Sequence, residues 1–92
     1  MGTMLSPYNA SVAGEIEERC RAFRAGQESL QGLQSFISSR QNLFENDRSG
    51  IALATLELDA ELEHVIYAEA EDRASALRAT DEYLARFGVD RA

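Results

Sequence analysis

The sequence predicts an all-α fold, a small bundle of three or four helices. Three observations carry that prediction. Apolar residues recur at spacings of three and four along most of the chain, as one buried helix face requires. From Ile51 to Phe87 there is neither glycine nor proline, and the stretch is rich in Ala, Leu, Glu and Arg, the strong helix formers. The chain has 92 residues, enough for one domain. That domain is expected over residues 9–88, with a flexible lead at 1–8 and a tail at 89–92.

The first helix is expected over 11–25. Val12, Ile16, Cys20 and Phe23 form its apolar stripe. Glu15, Glu17 and Glu18 suit the positive end of the helix dipole, and Arg19, Arg21 and Arg24 the negative end. Gly26 falls where a left-handed cap belongs. The second helix is expected over 29–44, capped by Ser29 and buried through Leu30, Leu33, Phe36, Ile37, Leu43 and Phe44. Its small residues Gly32, Ser35, Ser38 and Ser39 offer another helix a close approach. Residues 45–50, "ENDRSG", read as a loop.

The third element, over about 50–87, is the unusual one. At 100° per residue its first half separates into two apolar stripes. One holds Ile51, Leu58, Leu62, Val65 and Ile66; the other, nearly opposite, holds Leu53, Leu56, Ala60 and Tyr67. Glu57 and Glu61 lie along one seam between them, Asp59 and Glu63 along the other. A helix apolar on two sides is buried on both, so it is either the central helix of the fold or one stripe is an interface. A last stripe, Leu77, Thr80, Tyr83, Leu84 and Phe87, is in phase with the first. Either one unbroken helix runs through, about 55 Å long at 1.5 Å per residue, or "EAEDR" at 69–73 marks a break near 69–75. Asp72 or Ser75 would then cap a fourth helix.

Charge and motif content exclude several function classes. Sixteen acidic side chains against nine basic ones, all arginine, leave a net charge of −7. The arginines are scattered from Arg19 to Arg91, so phosphate backbones are repelled and direct nucleic-acid binding is disfavoured. No apolar run approaches the roughly 20 residues of a membrane span. Residues 1–6, "MGTMLS", fit a myristoylation pattern, but one acyl chain without neighbouring basic residues anchors weakly, and Met1-Gly2-Thr3 also reads as a cloning remnant. Asn9-Ala10-Ser11 is a glycosylation sequon. No basic segment leads into an apolar stretch as in a signal peptide, and a lone cysteine forms no internal disulfide. The reducing cytoplasm is the expected compartment, and there the sequon is idle.

Catalysis is not expected. Cys20 sits on an apolar stripe, where a thiol is a small core residue rather than a nucleophile. One histidine makes a catalytic triad improbable, and there is no Gly-rich phosphate loop. Glu61 and His64, at i and i+3, have the spacing of a helical metal pair. That chemistry needs a second such pair and two further glutamates facing a shared core; with one histidine, a homodimer would have to supply the other half, so a metal protein built on Glu61 and His64 is a remote alternative and no cofactor is expected. The acidic run from Glu57 to Glu63, continued by Glu69, Glu71 and Asp72, instead suits a landing surface for a basic protein, with Leu56 and Tyr67 as apolar anchors. The expected interface residues are Leu53, Leu56, Glu57, Glu61, Glu63, His64 and Tyr67. The expected partner is a second copy, as a homodimer, or a basic protein. Self-association would also add stability to a chain that buries only about 60–65% of its unfolded surface.

The segment "RAFRAGQESLQGLQSFI" (21–37) resembles a module of small bacterial immunity proteins of the colicin D type, in which an aromatic-x-Ala/Ser-Gly step leads into a helix with paired apolar residues. Phe23, Ala25, Gly26, Leu30, Leu33 and Phe36 carry the resemblance, which spans under a fifth of the chain. It implies a compact four-helix fold that neutralises a cationic RNA-cleaving toxin domain through acidic side chains. The chain lacks the breaker expected after Tyr67, and no site residue carries over.

Overall fold

The computed structural model describes residues 5–67 and 73–87. They form four helices: α1, Pro7–Arg24; α2, Leu30–Arg40; α3, Ile51–Tyr67; and α4, Arg73–Phe87.

α1 begins before the expected Ser11. Ser6 is its N-cap, with Oγ accepting the Asn9 N–H at 3.1 Å, and Pro7 opens the first turn. Proline suits that position because its missing N–H would have no helical partner there. The earlier start moves Glu15, Glu17 and Glu18 out of the first turn, so their expected pairing with the dipole lapses. Glu17 is buried instead, accepting from Arg21 Nε at 3.1 Å. The other end is as expected: Gly26 takes φ +79°, Gln27 N–H donates to Ala22 O and Gly26 N–H to Phe23 O, the paired bonds of a Schellman cap.

Ser29 caps α2 through Gly32 N–H at 2.9 Å. The helix ends at Arg40 rather than Phe44, and Leu43 is exposed while Phe44 is half-buried. Three of the four small residues of α2, Gly32, Ser35 and Ser39, do not admit a neighbouring helix. A Cβ on Gly32 would meet the Glu28 and Ser29 side chains of its own first turn, and Ser35 and Ser39 are exposed. The loop after α2 is tied down twice. The Asn9 amide clamps Glu45, donating to its carbonyl at 2.7 Å and accepting its N–H at 2.9 Å. Asp47 receives the N–H groups of Ser49, Gly50 and Ala52 ahead of α3. Burial opposes ionisation of that carboxyl, but these bonds outweigh it and hold its pKa below the usual value.

α3 and α4 are separate helices lying side by side. Thr55 and Tyr83 share a buried hydrogen bond of 2.8 Å, whereas one unbroken helix would hold them about 42 Å apart. α4 therefore runs back along α3. Most of the expected break lies outside the described residues; α4 is under way by Arg73, so Ser75 lies within it rather than at its start.

Neighbours pack in a ring, α1 on α2, α2 on α3, α3 on α4, and α4 back on α1. Gln34 of α2 reaches Asp59 of α3, and Arg73 at the start of α4 reaches Phe23 O at the end of α1. Successive helices thus run antiparallel, the up-down-up-down form of a four-helix bundle. Ile16, Cys20, Phe23, Leu33, Ile37, Ile51, Leu62 and Ala76 fill the fully enclosed centre. α3 is a corner of this ring, with two helical neighbours and an outer face.

Candidate docking face on α3

Both stripes of α3 form, and they meet different fates. Ile51, Leu58, Leu62 and Val65 face the core. Leu53, Leu56 and Tyr67 are 62%, 49% and 80% exposed, with Ala60 exposed between them. Packing that buries the first stripe must turn the second outward, because they sit nearly opposite on one cylinder. The solvated stripe runs from Leu53 to Tyr67, about 21 Å at 1.5 Å per residue. Positions 53, 56, 60 and 67 keep the three-and-four alternation of a heptad seam, with Glu63 at the intervening place.

The acidic border is uneven. Glu57 and Glu61 line an open cleft of about 440 Å³ between α3 and α4, shared with Arg78, Glu82 and Arg86 of α4. Neither glutamate makes an ion pair among the described residues. On the opposite side the expected pair divides: Glu63 is exposed, but Asp59 is buried and accepts from Gln34 Nε2 at 2.9 Å. Asp59 joins α3 to α2 and leaves the surface charge. Glu69, Glu71 and Asp72 lie outside the described residues.

Glu61 and His64 are exposed on α3, and among the described residues no three His, Cys, Asp or Glu side chains are placed to hold a metal ion. Cys20 is fully buried, and burial, reinforced by Glu17 and opposed by Arg21, pushes its thiol up to about 12. At neutral pH it is a thiol and a poor nucleophile. Burial also pushes the Tyr83 phenol up to about 12, against the hydrogen bond with Thr55.

The structure thus brings Leu53, Leu56, Tyr67, Glu57, Glu61, Glu63 and His64 onto solvent-facing parts of one helix. Sequence reading missed the α4 wall of the cleft. Arg78, Glu82 and Arg86, at spacings of four, mark a polar flank beside the apolar line of that helix, a signal that points to a cleft only once α4 is known to fold back on α3. No protein-family model, no curated protein and no solved structure matches the chain.

Proposed function

We propose that the chain is a non-catalytic protein-interaction module whose docking element is the outer face of α3, and that its partner is a basic protein. One observation supports this above the others: Leu53, Leu56 and Tyr67 stand exposed along one line, with Glu57, Glu61 and Glu63 beside them. Large apolar side chains give a binding patch its affinity, and surrounding charge speeds encounter and selects the partner. A second copy fits this face less well. α3 contains no arginine, and with Glu57, Glu61, Glu63 and Glu82 against Arg78 and Arg86 of α4 around this face, a symmetric pair would set an excess of carboxylate against itself.

Inhibition of a basic nuclease is the version of this reading that the resemblance of residues 21–37 implies, and the acidic flank of α3 supports it. The experiment starts from a protein captured on the immobilised chain, purified, and titrated calorimetrically against wild type and L56S/Y67S. A loss of affinity of tenfold or more, with helicity unchanged, is expected. Equal affinity for both chains would overturn the proposal. A wild-type dimer that L56S/Y67S dissociates would identify the partner as a second copy instead.

A further inference from the structure

Resting on that reading, we infer that the partner docks through a single amphipathic α-helix, laid along α3 with its apolar residues in heptad register and its basic residues on the flank facing α4. The first support is spacing. Leu53, Leu56, Ala60 and Tyr67 follow steps of three, four and seven, so they make a straight ridge along the helix rather than a round patch. A ridge about 21 Å long matches about four turns of a second helix, and knobs-into-holes packing is the geometry such spacing supports. Ala60 at the middle lets the two backbones approach. The described residues contain no β-strand, so an extended peptide has no sheet edge among them to join.

The second support is the one-sided charge. Glu57 and Glu61 are four residues apart and open onto the cleft, with Glu82 across it. On the α2 side Asp59 is already bonded to Gln34, which leaves Glu63 alone. A docked helix therefore meets most of its carboxylates along one edge. Arginine or lysine stems lie against Leu58 and Ala79 in that cleft while their charged heads reach the glutamates. Arg78 and Arg86 stand on the α4 wall and keep the added cations to the α3 side. Charge complementarity thus selects a basic helix, and its edge selects the orientation.

The test uses the full chain and two synthetic peptides of about 21 residues. One carries leucine in heptad spacing with arginine along one flank; the other has the same composition in shuffled order. Anisotropy measures affinity, and amide NMR shifts locate the contact. The patterned peptide is expected to bind at least tenfold more tightly than the shuffled one, with shifts centred on residues 53–67. L56S/Y67S should lose tenfold or more, and E57Q/E61Q should weaken binding severalfold and flatten its salt dependence. Equal binding of both peptides, no binding of the patterned one, or shifts confined to other helices would each overturn the inference. So would a wild-type dimer broken by L56S/Y67S, since the occupant is then a second copy. If both peptides fail while the calorimetric partner still requires Leu56 and Tyr67, the helix is wrong and the docking face stands.

Discussion

The Tyr83 hydroxyl, bonded to Thr55 inside the bundle, and the Cys20 thiol are the groups whose protons respond most to folding. Their ordinary values are 10.0 and 9.0, and both rise to about 12 in the fold. Above pH 9 the unfolded chain therefore binds fewer protons than the native one, and stability falls as pH rises. The contribution is whole below about pH 9 and is lost as the pH climbs toward 12. Denaturant midpoints measured from pH 8 to 11 should decline, and Y83F should remove the part of the decline above pH 10. At neutral pH the same substitution is expected to cost about 1 kcal/mol, the usual worth of a hydrogen bond. Identical pH slopes for Y83F and wild type would show that the phenol is not the source. Arg73 makes a different point about single residues. Its charge lies on the apolar line of the sequence, yet its guanidinium bonds Phe23 O at 2.9 Å and covers the Phe23 ring at 4.6 Å. That is a cation–π contact joined to a hydrogen bond, which letter-by-letter hydropathy does not see.

Two substitutions in one element separate the faces of α3. Leu62→Ala, at a fully enclosed position, should cost about 2–5 kcal/mol through lost burial and the cavity left behind. Leu56→Ala, on the outer stripe, should stay within about 0.5 kcal/mol. Urea unfolding of both variants checks this, and a large loss at Leu56 would mean that the outer stripe holds the fold. The comparison also shows what the sequence makes legible. The helix wheel of residues 51–67 separates the two stripes correctly, and Ser29 and Gly26 mark an N-cap and a C-cap by their chemistry alone. The start of α1 was legible in Ser6-Pro7, a cap followed by a favoured first-turn residue, but proline reads equally as a breaker. The reversal between α3 and α4 was not legible, because in-phase stripes arise both in one long helix and in two that pack on the same core. The burial of Asp59 was also hidden, since the glutamine that satisfies it comes from another helix.

On the scale of the whole molecule, the excess of acid sets how the fold answers salt. The net charge is −7, and the ion pairs Arg19–Glu28, Arg24–Asp81 and Arg40–Glu15 each have at least one partner close to half exposed, where such pairs contribute little. Self-repulsion of the native chain then outweighs them. The melting temperature should rise by a few degrees between about 10 and 200 mM salt, because screening acts within about 10 Å at 0.1 M. Binding of a basic partner should weaken over the same range. Scanning calorimetry and titration on one sample would reveal both; a melting temperature that drops with salt would place the balance with the ion pairs. The four-helix ring was legible only as a class, since which helices become neighbours depends on contacts distant in sequence.

The Asn9 clamp has one more consequence, for sugar chemistry. Its amide nitrogen is the atom to which an oligosaccharide is joined at an Asn-x-Ser sequon, and in the fold that nitrogen is committed to Glu45 O. Attachment is therefore possible only before the bundle closes, and a glycan there would hold the α2–α3 loop away from α1. Produced through a secretory route, the protein should divide into a folded, unmodified population and a glycosylated one that never closes that end of the bundle.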